Sequence, residues 1–228
     1  EICACLVGSE MCIRDRLFIS PASVVRFCKK LGFSGYSDFK ASLRMDLFEP
    51  EETPRKSHPT DFFRDIHKTI EMVSEETVER IVELIHCSRR IELYAVGSSR
   101  MPGSELAKRL QTIGKAAFCY DDSTLMNISA RQLTSDDLVL ALSISGETSL
   151  IIAAATVAKS RGAALVSFTN LGSNTLSGMA DENLYVNATN FVCSGLPVQS
   201  RVQLLMLCEY LFFRYIETYG DERQQSIG

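Results

Sequence analysis

The chain has 228 residues, of which 46% are hydrophobic and 23% charged, and its formal net charge at pH 7 is −4. This composition is ordinary for a soluble globular protein of one or two domains, and the acidic balance argues against a chain that binds nucleic acid along its whole length. The longest largely apolar stretch, residues 150–158, has about half the length that a membrane-spanning helix needs. We therefore expect a cytoplasmic protein that makes no membrane contact.

The eight cysteines and three histidines are scattered along the chain. No two cysteines form a C-x-x-C pair, and only His86 adjoins a cysteine. Metal sites need clustered ligands. We therefore expect buried free thiols, no metal site and no cofactor.

The chain divides into segments of different character. Residues 10–16 fit no periodic element, and because Met11–Arg16 resembles translated sequencing adaptor, we expect residues 1–16 to be non-native. Residues 17–48 predict a small helical segment, and the proline-rich run 49–60 predicts a linker. Residues 61–219 predict a larger domain, followed by a tail at 220–228.

The small segment contains a basic helix. Ser20 as N-cap, Pro21 at the first helical position and Gly32 at the end predict one helix over 20–33. Its apolar face carries Val24, Val25, Phe27, Cys28 and Leu31, while residues 21–44 have a local charge of +4. An apolar back and a basic front suit the major groove of DNA. A solvated helix in a small bundle fits the same spacing.

The run S-P-A-S-V-V-R-F-C-K-K-L-G-F-S-G-Y-S-D-F-K, which starts at Ser20, closely resembles part of a known DNA-binding domain. It resembles the recognition-helix half of the helix-turn-helix of RpiR-family transcriptional regulators. The resemblance implies contacts to DNA through Ser20, Ser23, Arg26, Lys29 and Lys30. In that family further helices precede this half, and residues 1–16 do not match them, so we expect a truncated helix-turn-helix.

Beyond residue 60, helical and strand patterns alternate. Helices are predicted at 61–73, 74–85, 101–113, 124–132, 148–161 and 197–219, and strands at 91–96, 116–120, 138–142, 165–168 and 184–186. Short, uniformly apolar strands between helices predict a five-stranded parallel sheet covered on both faces. The first helix, with Phe62, Phe63 and Ile66, is a candidate subunit interface, although it could equally pack within its own domain.

Two hydroxyl-rich loops follow the first and third predicted strands. They are Gly97–Gly103 and Ser143–Thr148, and each leads into a helix N-terminus, where free backbone amides favour an anion. Gly146 lets the backbone close around phosphate oxygens, and neither loop has the lysine of a Walker-type nucleotide site. We predict a phosphate cradle at the carboxyl edge of the sheet, with simple helix capping as the alternative.

The sequence S-I-S-G-E-T after an apolar strand, together with G-S-S after the first strand, resembles the SIS (sugar isomerase) domain over about residues 60–215. The segment 200–204 likewise resembles the C-terminal part of RpiR-family regulators. The resemblance implies an α/β fold with flavodoxin-like winding and a phosphosugar site. The implied site residues are Ser98, Ser99, Ser143, Ile144, Ser145, Gly146, Glu147 and Thr148.

Within this implied site, the residues have different roles. Ser143, Ser145 and Thr148 would hold the phosphate with the amides of Ile144 and Gly146. Residues 98 and 99 would meet phosphate or sugar hydroxyls, and residue 147 would face the sugar or a neighbouring subunit. Residue 100 is an arginine where the family often has a small residue, so it could add charge to the site or block part of it.

We predict a DNA-binding transcriptional regulator of carbohydrate metabolism, a homodimer or homotetramer, that binds double-stranded operator DNA and senses a phosphosugar through its SIS domain. The alternative is an isomerase, which needs a general base. Glu147 is the only acid in the cradle loops and all histidines precede the first strand, so we expect no catalytic residues. A dinucleotide enzyme is disfavoured, since G-S-S-R-M-P-G is not G-x-G-x-x-G, although Asp121 and Asp122 follow the second strand.

Overall fold

The structure is a computed structural model that describes residues 21–30, 59–193 and 196–224. The chain forms two compact units, residues 1–57 and 58–228. In the first unit, α1 (Pro21–Lys30) lies within the helix predicted at 20–33. Cys28 on its apolar face is buried, whereas Phe27 is 54% exposed. Ser20, residues 31–48 and the linker up to residue 58 lie outside the described residues.

The second unit alternates helices and strands as predicted. Its helices are α2 (Pro59–Glu71), α3 (Glu75–Cys87), α4 (Arg100–Thr112), α5 (Ser123–Ala130), α6 (Ser149–Ser160), α7 (Thr175–Met179) and α8 (Val202–Gln224). Its strands are β1 (Arg90–Ala95), β2 (Ala117–Tyr120), β3 (Asp137–Leu142), β4 (Ala164–Asn170), β5 (Glu182–Val186), β6 (Phe191–Cys193) and β7 (Leu196–Val198). No helix within the described ranges is long and apolar enough to cross a membrane.

The first five strands form one parallel sheet in the order β2-β1-β3-β4-β5. This is the five-stranded parallel sheet with flavodoxin-like winding that the sequence predicts. The chain runs outward from β1 to β2, then crosses back to β3 and continues in the other direction. The winding therefore reverses between β1 and β3, and the loops after these two strands flank the switch point.

Both faces of the sheet are covered, which explains why its strands are so apolar. One face packs against α3, α4 and α8 through side chains such as Ile81, Leu106 and Leu207. The other face packs against α5, α6 and α7 through Met126, Ile151 and Leu176 among others. All six residues of β3 are buried, which anchors the loop that follows it.

The structure corrects the prediction for the end of the domain. Residues 197 and 198, predicted as the start of the terminal helix, belong instead to β7, which pairs with β6 in an antiparallel hairpin. The helix begins only at Val202, whose backbone N–H donates to Ser200 Oγ at 3.1 Å. The short helix α7 was not predicted at all. It begins after Asn174, whose side chain accepts from the backbone N–H of Ser177.

Helix α2 buries two polar residues and exposes two apolar ones. The apolar side chains Phe63 and Ile70 are 64% and 54% exposed, whereas Asp65 and Thr69 are buried. The cause is a polar contact across the domain, because the Asp65 carboxylate accepts three hydrogen bonds from residues 187 and 189 just after β5. The proposal that α2 is a subunit interface stays a prediction.

Candidate functional site

Three predicted phosphate ligands converge after β3. Ser143 directly follows the strand and is only 3% exposed. Its Oγ lies 2.7 Å from Thr148 Oγ1 and 3.4 Å from Ser145 Oγ. We call these three residues the hydroxyl cluster. Their convergence agrees with the geometry that the sequence predicts, and their role as phosphate ligands stays a prediction.

The hydroxyl cluster leaves the N-terminus of α6 without a side-chain cap. Thr148 is the N-cap residue of this helix, but its hydroxyl bonds Ser143 and makes no capping hydrogen bond. The backbone N–H groups of Ile144, Ser145 and Thr148 donate no hydrogen bond to the described part of the chain. Three hydroxyls and three backbone amides without a partner in the described residues therefore lie within six residues at the start of α6, where the helix dipole favours an anion.

Gly146 is required by the path of this loop. Its φ is +64°, and a Cβ atom added there would lie 2.0 Å from Asn174 Oδ1. Its carbonyl accepts from the Leu176 N–H at 3.1 Å, and its own N–H donates to the Ser143 carbonyl at 2.9 Å. The turn thus uses the N–H group that the sequence assigns to phosphate, and that role of Gly146 stays a prediction.

Glu147 contacts the loop that follows β4. Its carboxylate accepts from the backbone N–H of Thr175 at 2.7 Å and from Thr175 Oγ1 at 2.8 Å. It thus caps the start of α7 in its own chain, and its place beside a sugar or a neighbouring subunit stays a prediction. The contact ties the cradle loop to the loop that follows β4.

The first predicted loop lies at the neighbouring strand end. Gly97, with a φ of +57°, opens a single turn of 3-10 helix over Gly97–Ser99. Ser99 is buried and Ser98 is exposed. Since β1 and β3 are adjacent in the sheet, both predicted loops lie at one edge, as expected.

An open cleft of about 820 Å³ extends from this first loop. It is lined by Gly97, Ser98, Arg100, Met101, Ser104, Glu105, Lys108, Arg109, Cys119, Asp121, Leu205 and Glu209. Its acids are paired with arginines. Arg100 lies 2.7 Å from Asp121 and lowers the pKa of that carboxyl group, while Arg109 contacts Glu209 at 2.8 Å and Glu105 at 3.2 Å.

The residues predicted to contact DNA lie in α1 or just before it. Arg26, Lys29 and Lys30 are exposed, and Arg26 Nη2 lies 3.5 Å from Ser23 Oγ. Ser20 lies outside the described residues. The helix therefore presents basic side chains to solvent, as the sequence predicts.

Sequence reasoning missed the contribution of the loop after β4. Asn174 fits against Gly146, and Thr175 holds Glu147. The one available signal was the spacing of Asn174 to Ser177, which is typical of an N-cap. No pattern in the sequence links this loop to the residues around Gly146.

Two family models match the chain. The SIS domain model matches residues 84–214, and the model of the helix-turn-helix domain, rpiR family, matches residues 9–50. The second match begins inside the segment 1–16 that we expect to be non-native.

Similar proteins include regulators and enzymes. The HTH-type transcriptional regulator RpiR of Escherichia coli is 26% identical over 88% of this chain and 72% of its own length. The Vibrio vulnificus NanR protein complexed with ManNAc-6P is 30% identical, with a TM-score of 0.69 over 96% of this chain and 83% of NanR. Phosphoheptose isomerase GmhA of Neisseria gonorrhoeae shares the fold at 15% identity, with a TM-score of 0.55 over 71% of this chain and 94% of its own. The chain belongs to the RpiR family of helix-turn-helix transcriptional regulators that carry a SIS domain.

Proposed function

We propose that this regulator binds a phosphorylated sugar at the hydroxyl cluster and uses it as an effector without turning it over. The main support for the proposal is that the hydroxyls of Ser143, Ser145 and Thr148 lie close together at the N-terminus of α6, which has no side-chain cap. A phosphate monoester brings up to two negative charges and several acceptor oxygens, which match these donors. NanR supports the class of ligand, because its structure contains a sugar phosphate.

The acids near the cradle support sensing over catalysis. An aldose–ketose isomerase needs a base that is free to take a proton from carbon. Glu147 is bound to Thr175, and Glu105 and Glu209 are both bound to Arg109. Isomerases such as GmhA share the fold, so turnover is the competing function, and it would require one of these contacts to break.

A path of hydrogen bonds from the cradle to α2 gives the effector a way to act. The Ile144 carbonyl accepts from the Asn170 N–H at 2.7 Å, and Asn170 pairs with Val186 at the end of β5. The next N–H, of Asn187, donates to Thr69 Oγ1 in α2 at 2.9 Å. Helix α2 is the start of the sensor domain and follows the segment that leads from the DNA-binding unit. A shift at the cradle would therefore change the position of α2.

The DNA-binding side of the proposal rests on α1. Ser23 and Arg26 would reach base edges, and Lys29 and Lys30 would neutralise phosphates. Paired sensor domains in a homodimer or homotetramer would hold two such helices at the spacing of two half-sites in double-stranded operator DNA. A sugar phosphate that binds one arrangement of the sensor more tightly shifts that equilibrium.

A thermal-shift screen of sugar phosphates, followed by a turnover assay on each compound that binds, tests this function. We expect at least one aldose or ketose phosphate to raise the melting temperature, and no bound compound to be interconverted above background. Interconversion at rates typical of enzymes would establish the isomerase alternative. Failure of every sugar phosphate to bind would refute the assignment of the cradle.

A further inference from the structure

Gln203, in the first turn of α8, is a fully buried amide side chain. Within the described residues, neither its Oε1 nor its Nε2 has a hydrogen-bond partner. A carboxamide offers two donors and an acceptor oxygen with two lone pairs, and buried polar groups of native proteins are almost always paired. An unpaired amide at this position disfavours folding, so a partner from outside the chain would stabilise it.

The order of the strands shows which part of the sheet lies between the two ends of the segment that contains Gln203. Just before it, Gln199 Nε2 donates to the carbonyl of Ala188, two residues beyond β5, at 3.4 Å. Just after it, Leu205 lines the same cleft as Gly97 and Ser98, which follow β1. In the order β2-β1-β3-β4-β5, the strands between these two points are β3 and β4.

The distances agree with a crossing over those two strands. The separation of β5 from β1 is three strand spacings, or about 14 Å. The six residue-to-residue steps from 199 to 205, half extended and half helical, also span about 14 Å. Residues 200–204 are thus long enough to cross the carboxyl edge of the sheet above β4 and β3, and the loop with Ser143 and the rest of the hydroxyl cluster follows β3.

Arg201 lies at the turn that leads into α8. Its Nη1 lies 3.0 Å from the Gln199 carbonyl and 3.3 Å from the Ser200 carbonyl, so the turn into α8 is held by its own side chain. Burial lowers the pKa of the guanidinium. Gln203 thus lies two residues beyond a turn that these hydrogen bonds hold, and a residue that discriminates between ligands needs a fixed position.

We propose that Gln203 determines which sugar the cradle accepts, by hydrogen bonding to the hydroxyl or acylamino groups of the sugar while the hydroxyl cluster holds the phosphate. The inference rests on the proposed function of the cradle. A neutral amide adds little to the binding of a phosphate dianion. It both donates and accepts, which suits sugar hydroxyls that do the same. A site built in this way rejects analogues that leave the buried amide unpaired.

The test compares Gln203→Leu with the wild-type chain against a panel of five- to seven-carbon sugar phosphates, their N-acetylated derivatives and inorganic phosphate. Leucine has a similar volume and no polar atom. We expect the affinity for the best sugar phosphate to fall about tenfold, the equivalent of one hydrogen bond, and that for inorganic phosphate to stay unchanged. The melting temperature without ligand should stay the same or rise, because an unpaired buried amide is removed.

Gln111→Leu is the matched control. The Gln111 amide donates to the Ala117 carbonyl at the amino end of β2, away from the cradle. Its loss should lower the melting temperature and leave both affinities unchanged. Gln203→Met, with an unbranched side chain, replaces Gln203→Leu if the branched residue does not fit.

Two results overturn the inference in different ways. If the wild type binds a sugar phosphate and both Gln203 variants keep the same preference over inorganic phosphate, Gln203 has no part in recognition, and the function of the cradle stands. If the wild type binds inorganic phosphate alone or nothing in the panel, the proposed function fails and this inference fails with it.

Discussion

Asp65 joins α2 to the segment after β5, and its replacement by alanine is expected to release that helix. The carboxylate accepts hydrogen bonds from Asn187 Nδ2 at 2.6 Å, the Thr189 N–H at 2.7 Å and Thr189 Oγ1 at 2.9 Å. A hydrogen bond to a charged group contributes about 1.5–3 kcal/mol, and its loss leaves buried donors unpaired. We therefore expect Asp65→Ala to lower the free energy of unfolding by about 3 kcal/mol.

For a domain of this size the loss corresponds to a fall of about 6–12 °C in melting temperature. Asp61→Ala is the control on the same helix, because Asp61 contacts the exposed Arg64 at the surface, where an ion pair contributes at most about 1 kcal/mol. Amide hydrogen exchange should show faster exchange across α2 in Asp65→Ala and little change in Asp61→Ala. Equal effects of the two substitutions on melting and exchange would refute the reasoning that Asp65 holds α2 in place.

Three further predictions concern the edge of the sheet. Gly146→Ala should lower stability by more than 1 kcal/mol and abolish sugar phosphate binding, because a Cβ there meets Asn174 at a backbone φ of +64°; normal binding in calorimetry would contradict this. Glu147→Gln should lower stability by about 1 kcal/mol through its weaker contact with Thr175 and reduce the affinity for a sugar phosphate less than twofold. A larger loss of affinity would indicate that Glu147 contacts the sugar. Arg100→Ala should raise the pKa of Asp121 towards its ordinary value, since Arg100 holds it down, and an NMR titration that shows no rise would contradict this pairing.

Local patterns were sufficient to predict the sheet and the cradle. Five of the six residues of β3 are apolar, and the sixth, Asp137, lies at its start. All six are buried, and such strands are typical of a parallel sheet with two covered faces. Ser143, Ser145 and Thr148 lie within six residues of one another, and their convergence follows from a turn at Gly146 and a helix start. Both predictions depend on residues that are close in the sequence.

The features that were missed depend on partners far along the chain. Asp65 is 122 residues from Asn187, so nothing near Asp65 in the sequence indicates this contact. Glu147 and Thr175 are 28 residues apart, so nothing near Glu147 indicates its role as a cap. The helix α7, with five residues, is too short for a hydrophobic period to appear.

The hydroxyl cluster is the center of the functional account, and the double substitution Ser143→Ala, Ser145→Ala tests it most directly. Isothermal calorimetry should be run with the sugar phosphate that gives the largest thermal shift, alongside a melting curve that checks the fold. We predict a melting temperature close to that of the wild type and a loss of affinity of about 100-fold, since two hydroxyl donors to a charged phosphate are removed. An unchanged affinity in the folded double variant would contradict the claim that this cluster holds the phosphate of the effector.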